Sequence, residues 1–196
     1  MSTKHAQFIR ILTAPCLIAL ALVCILAVCD DSFFSSYFNM GAIIFCLSVL
    51  PASAYLFVRI KKCEDKVTLR NKERHAAMLF SAIGYILGGI FIFVFPTNQK
   101  EKALMLTYVF SMIITVILNY AFKFKSSAHT CAFSGPIAIL CHRVSPFFAI
   151  LYAILIPIIT SSLKLKRHTV AQLIVGIFIP IVAMVFALLI VPYIPQ

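Results

Sequence analysis

Two short segments of the chain combine a histidine, a threonine, hydroxyl side chains and lysines within eight or nine residues. The first is KFKSSAHT, residues 123–130, and the second is SSLKLKRHT, residues 161–169. An apolar run follows each His-Thr pair, so His129 and His168 stand where a helix is expected to begin. Helix starts carry unpaired N–H groups and a positive dipole end, and both stabilise a bound anion. The two segments therefore predict a phosphate site that contains two imidazoles.

The spacing within each segment supports this prediction. Lys125, Ser127 and His129 alternate, so an extended backbone would direct all three side chains to the same side. His168 and Gln172 are four residues apart, which places them on one face if the helix has already begun. The Gln172 amide oxygen would then accept a hydrogen bond from one imidazole nitrogen and leave the other nitrogen for nucleophilic attack.

Acidic residues are missing from the second half of the chain, which contains no Asp or Glu after Glu101. This absence argues against paired-carboxylate catalysis, carboxylate metal sites and a carboxylate proton relay in that half. The seven cysteines form no CxxC pair and show no ligand-like spacing with histidine, so we interpret them as small apolar residues. The sequence predicts no metal ion and no cofactor.

The elements that must position these residues are membrane-spanning helices. The chain of 196 residues is 62% hydrophobic, with a mean hydropathy of +1.03, and long apolar runs recur along it. We expect an all-α, polytopic transmembrane helix bundle that forms one membrane domain, residues 1–196. The fifth and sixth apolar runs are short and interrupted by prolines, so the expected number of membrane spans is about six to seven. The apolar runs cover about 8–28, 38–58, 76–95, 103–122, 130–145, 147–162 and 170–191.

The basic residues are distributed unequally between the two sides that these spans define. The N-terminus and the segments 59–75, 123–129 and 161–169 carry every Lys and Arg except Lys100, Lys102 and Arg143. The positive-inside rule therefore predicts a multi-pass protein of the cell membrane with its basic side, and both His-Thr segments, in the cytoplasm. We expect the lipid bilayer as its environment and no nucleic-acid partner.

Three segments resemble elements of the type 2 phosphatidic acid phosphatase (PAP2) superfamily. KSSAH (125–129) matches a Lys-x-Ser-x-His element, and HTVAQLIVG (168–176) matches a His-Thr-x-x-Gln element of a divergent branch. RNKERH (70–75) is similar to a charged segment that precedes an earlier helix in that branch. The resemblance covers about residues 70–190, which would form a PAP2-like core.

The resemblance implies a metal-independent phosphatase that acts on a phosphate monoester or pyrophosphate of a lipid headgroup. His168 would be the nucleophile that forms a phosphohistidine, His129 would protonate the leaving group, and Gln172 would orient His168. The phosphate oxygens would contact Lys125, Ser127, Arg74, Lys164 and Ser162.

Three positions depart from the usual family pattern: Ser162, Gln172 and Ala128, which replaces a glycine. Ser162 stands six residues before His168, where the family has an arginine. Lys164 or Lys166 would be only a partial substitute, because an ammonium cannot reproduce a bidentate guanidinium. Gln172 replaces an aspartate, so it can orient an imidazole without stabilising its positive charge. The alternative is therefore a catalytically decayed relative that binds an anionic lipid or a protein partner. A small transporter or channel is less favoured because the spans contain few polar residues.

Overall fold

The computed structural model describes residues 3–60 and 66–194, although several side chains within these ranges, including that of Arg74, lie outside the described part. Every regular element in the described residues is helical. A π-helical turn (Phe45–Val49) joins α3 to α4, a 3₁₀ segment (Pro146–Ile154) leads into α8, and a 3₁₀ turn (Val191–Tyr193) follows α9. The α-helices are α1 (Thr3–Leu12), α2 (Pro15–Cys29), α3 (Tyr37–Ile44), α4 (Leu50–Ile60), α5 (Lys66–Val94), α6 (Gln99–Tyr120), α7 (Ala128–Arg143), α8 (Leu155–Lys164) and α9 (Val170–Ile190).

Five stretches of the described residues are long and apolar enough to cross a membrane, so the chain has the composition of a multi-pass membrane protein. They coincide with five of the expected runs, whereas α2 and α7 are shorter helices. The run 147–162, expected to be short, belongs to a longer stretch because its 3₁₀ segment continues into α8. The five stretches are Tyr37–Val58, His75–Val94, Gln99–Tyr120, Pro146–Lys164 and Val170–Tyr193.

The expected single span over 8–28 is wrong, because the chain breaks between α1 and α2. Ala14 has an extended backbone, with φ −62° and ψ 136°, and it precedes Pro15. A residue before proline is disfavoured in the helical region, and proline itself is well suited to the first helical position. Pro15 therefore ends one helix and begins the next.

The segment between the second and third expected spans is also more helical than predicted. We expected a basic loop over 59–75, but α4 continues to Ile60 and α5 begins at Lys66. RNKERH therefore lies inside α5 and not before it. The run from Lys66 to His75 contains no Pro or Gly and is rich in good helix formers, so the apolar helix extends beyond its membrane-like part.

Hydrogen bonds between distant segments define the two ends of the helix bundle. At one end, which we call the basic end, the Ser127 N–H donates to the Gln172 carbonyl at 3.1 Å. At the other, which we call the Glu101 end, Lys100 Nζ pairs with Asp30 Oδ2 at 2.7 Å. The Gln99 side chain also reaches the carbonyl of Ile194 there, at 3.4 Å. The starts of α7 and α9 therefore lie together, away from the start of α6.

A buried carboxylate holds the Glu101 end together. Glu101 is 0% exposed and accepts hydrogen bonds from Ser35 N–H at 2.9 Å, Ser35 Oγ at 2.6 Å and Asn98 N–H at 2.8 Å. Asn98 in turn caps α6 and donates its side-chain amide to the Phe33 carbonyl at 2.9 Å. A buried charge costs free energy unless it is hydrogen-bonded, so this network fixes the α2–α3 connection against the start of α6.

Close approaches of helices through glycine assemble the interior. A Cβ on Gly84 would overlap the Cys46 carbonyl of the π-helical turn, and one on Gly88 would overlap the Met105 side chain. Glycine is required at position 84, because the overlap there is with backbone, whereas the Met105 side chain opposite Gly88 is flexible and can move. The main core cluster includes Leu22, Leu26, Ile43, Leu104, Met105 and Ala187.

Candidate functional site

The start of α7 is formed by a serine cap. Ser127 is the N-cap residue, with φ −86° and ψ 111°, and its side chain accepts a hydrogen bond from the Thr130 N–H at 3.5 Å. The Thr130 hydroxyl donates back to the Ser127 carbonyl at 3.0 Å. Serine and threonine at a helix start satisfy N–H groups that have no partner within the helix. His129 therefore lies in the first turn of α7, two residues after the cap, and its side chain is half-buried.

The start of α9 is formed by a capping box. Thr169 is the N-cap residue, and its hydroxyl accepts from the Gln172 N–H at 3.4 Å. The Gln172 side-chain oxygen accepts from the Thr169 N–H at 3.2 Å, so the two residues satisfy each other's backbone. His168 lies one residue before the cap.

The predicted contact between His168 and Gln172 is present, but its origin differs from the expected one. His168 Nδ1 lies 3.2 Å from Gln172 Oε1, although His168 precedes the helix and does not share a helical face with Gln172. The contact forms because the capping box folds the Gln172 side chain back over the helix start. In the tautomer that donates from Nδ1 to this amide oxygen, Nε2 is the basic nitrogen of the neutral ring.

The two helix starts are packed against each other. Besides the hydrogen bond from Ser127 N–H to the Gln172 carbonyl, the backbone of Gly176 touches the start of α7. A Cβ on Gly176 would overlap the Thr130 hydroxyl and would lie 2.7 Å from the Ser127 carbonyl oxygen. Thr130 is 0% exposed. The two His-Thr segments therefore belong to neighbouring helix starts at the basic end, where the positive ends of two helix dipoles are adjacent.

The residues predicted to contact phosphate are not equally accessible. Lys125 and Lys164 are exposed, whereas Ser127 is 1% and Ser162 is 0% exposed. The side chain of Arg74 lies outside the described residues. Ser162 belongs to the last two turns of α8, and its carbonyl accepts a hydrogen bond from the Arg167 N–H at 3.1 Å.

The expected alternation of Lys125, Ser127 and His129 does not continue through the segment. Lys125 is exposed and Ser127 is buried, and α7 begins at Ala128, so His129 follows helical geometry. The serine cap is the reason, because it sets the start of the helix at Ala128, one residue before the histidine.

Thr130 and Gly176 belong to the quoted motifs, as the threonine of the first His-Thr pair and the last residue of HTVAQLIVG, but the sequence analysis gave neither of them a packing role. Gly176 lies one helical turn after Gln172, and a glycine inside an apolar helix is a signal of close backbone approach. Its partner cannot be identified without the tertiary structure.

Among residues 3–60 and 66–194, no three His, Cys, Asp or Glu side chains are grouped so that they could bind a metal ion together. Lys125, Lys164 and the two half-buried imidazoles instead provide groups suited to an anion. No family model, curated protein or solved structure matches this chain.

Proposed function

We propose that the protein is a membrane phosphatase that hydrolyses a phosphate monoester or pyrophosphate on a lipid headgroup. The observation that carries the proposal is the hydrogen bond between Ser127 and Gln172, because it holds the starts of α7 and α9 side by side. Each start contributes one histidine, His129 or His168. Two imidazoles at one end of the bundle can divide the roles of nucleophile and proton donor between them.

The first step forms a phosphohistidine. Nε2 of His168 attacks the phosphorus, a nitrogen–phosphorus bond forms, and the bond from phosphorus to the leaving lipid oxygen breaks. Protonated His129 donates its proton to that oxygen. The contact between Nδ1 and Gln172 Oε1, at 3.2 Å, supports this assignment because it orients the ring and directs Nε2 to the reaction.

The second step releases phosphate. His129, now neutral, accepts a proton from a water molecule as the water oxygen attacks the phosphorus, and the nitrogen–phosphorus bond breaks. Lys125 and Lys164 are exposed cations in the two His-Thr segments, and they would balance charge on the phosphoryl oxygens. The positive ends of the α7 and α9 dipoles would also stabilise negative charge on the phosphoryl oxygens.

The setting of the site supports a lipid substrate, because α9 itself belongs to one of the five apolar stretches. A headgroup at the basic end would place its hydrocarbon chains alongside such helices. Phosphatidate, phosphatidylglycerol phosphate, a polyprenyl pyrophosphate and a phosphorylated glycolipid have equally suitable chemistry.

Phosphate release from a panel of these lipids tests the proposal, with the full chain purified in detergent in the presence of a chelator. We expect release by the unmodified protein, none by His168→Ala, and a strongly reduced rate for His129→Ala. His142→Ala is the matched control, since His142 is exposed near the other end of α7. Equal rates for the unmodified protein and His168→Ala would exclude the proposed mechanism. An acid-labile phosphate trapped on His168 would identify the nucleophile directly.

A second candidate function is binding of an anionic lipid without turnover. Ser162 favours it, because a fully buried serine stands where the similar family has an arginine, and no guanidinium is supplied from that position. Flotation with vesicles that contain phosphatidate distinguishes the two functions. Binding that needs Lys125 and Lys164, together with no phosphate release from any lipid of the panel, is the result expected of a binding protein.

A further inference from the structure

A row of polar side chains runs along one face of α6, from the middle of the helix towards the basic end. Its members follow one another at intervals of three or four residues, so they share one side of the helix, and all of them are buried or half-buried. They are Tyr108, Ser111, Thr115 and Asn119. The apolar residues Ile113, Val116 and Ile117 are instead exposed. The polar face of α6 is therefore turned into the bundle, and its apolar face outwards.

This polar face packs against α5. The rings of Tyr108 and Tyr85 lie 5.4 Å apart between centroids. Tyr85 follows Ser81 by one turn of α5, and their hydroxyls are paired. Both tyrosine hydroxyls also lie near enough to Cys131, in the first turn of α7, to interact electrostatically with its thiol. Polar groups from three helices therefore converge at Tyr108.

The convergence lies deep within the apolar stretch Gln99–Tyr120. At 1.5 Å per residue, Tyr108 is roughly 14 Å from the start of α6 and roughly 18 Å from its end. Both distances are close to half of the roughly 30 Å hydrocarbon core of a bilayer. A polar group at this depth is out of reach of the bulk solvent and must find its hydrogen bonds inside the protein.

Two oxygens on this face of α6 have no hydrogen-bond partner among the described residues. They are the Tyr108 hydroxyl oxygen and Asn119 Oδ1, and both are shielded from the surroundings. Ser111 differs, since its hydroxyl donates to the Thr107 carbonyl at 2.7 Å and keeps only its capacity to accept. A buried polar atom without a partner costs free energy. The two oxygens therefore point to a polar molecule between α5 and α6.

We propose that water molecules lie along this face between α5 and α6, from Asn119 to Tyr108, and we call this row of water sites the polar path. A buried water needs two to four polar partners. The hydroxyls of Tyr108 and Tyr85 and the thiol of Cys131 provide three at the inner limit. Asn119, one residue before the end of α6, marks the entrance from the basic end. Lipid tails offer no hydrogen bond, so the hydrocarbon around the outer faces of these helices cannot satisfy the two oxygens.

The polar path ends close to the proposed phosphate site, because Cys131 lies two residues after His129. It would supply the water that attacks the phosphohistidine in the second step, and this role alone rests on the proposed function. The path itself rests on buried polar atoms of α5 and α6. Neither experiment below measures phosphate release, so failure of the path and failure of the proposed function are distinguishable.

Radiolytic labelling of the unmodified protein, held in lipid nanodiscs in water enriched in heavy oxygen, tests the path. Hydroxyl radicals formed from water oxidise aromatic rings beside it, and mass spectrometry locates the added oxygen. We expect Tyr108 and Tyr85 to be oxidised about tenfold faster than Phe178, because a buried water stays beside its polar partners. Phe178 is the matched comparison, since it is 57% exposed within the apolar stretch Val170–Tyr193. Oxidation of the tyrosines at or below the Phe178 rate would overturn the proposal.

Tyr108→Phe distinguishes a hydrated hydroxyl from a dry one. Removing a dry, unsatisfied hydroxyl would raise the melting temperature, whereas removing a hydroxyl bonded to water loses that hydrogen bond. We therefore expect the melting temperature to fall by roughly 2–4 °C. Tyr152→Phe is the comparison, since the Tyr152 hydroxyl donates to the Ser134 carbonyl at 3.4 Å, and it should show a similar decrease. An unchanged or raised melting temperature of Tyr108→Phe would contradict the polar path.

Discussion

Gly176, in the second turn of α9, lies directly against the hydroxyl of Thr130, in the first turn of α7. This contact and the nearby hydrogen bond between Ser127 and Gln172 join the two helix starts that carry the histidines. A side chain at position 176 would push the starts apart.

Gly176→Ala is therefore expected to destabilise the protein by roughly 1–3 kcal/mol, the usual cost of overpacking a tight interior. Phosphate release should fall with it, because the two helix starts no longer meet. Gly41→Ala is the matched control: nothing lies within 4 Å of the added Cβ, so stability should be unchanged or slightly raised. Thermal unfolding in detergent measures both, and equal melting temperatures would show that the close approach is not required.

Gln172 combines a structural and an orienting role, and two substitutions separate them. Gln172→Leu removes the capping box and the contact with His168, so it should cost about 1 kcal/mol of stability and most of the proposed activity. Gln172→Glu keeps an acceptor oxygen and adds a negative charge that stabilises a positively charged His168, so the rate should be retained or increased. Phosphate release and thermal unfolding are measured on the same samples. A Gln172→Leu variant with full activity would refute the orienting role.

The buried carboxylate at the Glu101 end should be essential for stability. Glu101→Gln replaces one acceptor oxygen with an amide group, so at least one of its three shortest hydrogen bonds, from Ser35 and Asn98, is lost. We expect a loss of roughly 1.5–3 kcal/mol, the range for a hydrogen bond to a charged group. Asp31→Asn provides the comparison, because Asp31 is an exposed acid nearby. Similar melting temperatures for the two variants would mean that the network contributes little.

The ion pair between Asp30 and Lys100 predicts a weak dependence of stability on pH. The hydrogen bond from the Lys100 ammonium, with a second from Ser32, lowers the pKa of Asp30. A lowered pKa in the folded state means that the stabilisation is fully present above the unfolded value of about 3.9 and is lost as pH falls through the lower folded value. Because the pair is partly exposed, with side chains 29% and 22% accessible, its contribution should be only about 0.2–1 kcal/mol.

Asp30→Asn checks this expectation. The variant should be slightly less stable than the unmodified protein at pH 7, and the difference should disappear in acid below the folded pKa. Melting curves at both pH values are sufficient. A difference that persists or grows in acid would assign the effect to another group.

The orientation of the bundle can be tested with two cysteines. Cys29 is exposed at the end of α2, next to the Glu101 end, while Cys63 follows α4 in the segment outside the described residues. The positive-inside rule predicts that Cys63 faces the cytoplasm. In variants that keep only one of the two cysteines, an impermeant maleimide should label Cys29 in intact cells and Cys63 only after the cells are opened. The reverse pattern would invert the orientation, and labelling of both from the same side would contradict the assignment of ends.

The sequence by itself determined the class of structure. Apolar runs of membrane length predicted the helices that contain Tyr37–Val58, His75–Val94, Gln99–Tyr120, Pro146–Lys164 and Val170–Tyr193, because burial in a bilayer requires a continuous apolar surface and an internally bonded backbone. It also predicted that helices begin near His129 and His168, because a helix start depends on residues a few positions apart. It predicted the contact of Gln172 with His168 from a shared helical face, whereas the structure forms that contact through the capping box.

Tertiary structure decided what lies next to these helix starts. The break before Pro15 and the extension of α5 to Lys66 are local features that hydropathy alone does not resolve. The contact of Gly176 with Thr130, the burial of Ser162 and the hydrogen bonds of Glu101 join residues that are distant in the chain. Such contacts depend on how whole helices pack, and packing is set by the shapes of several surfaces together, which no single stretch of sequence specifies.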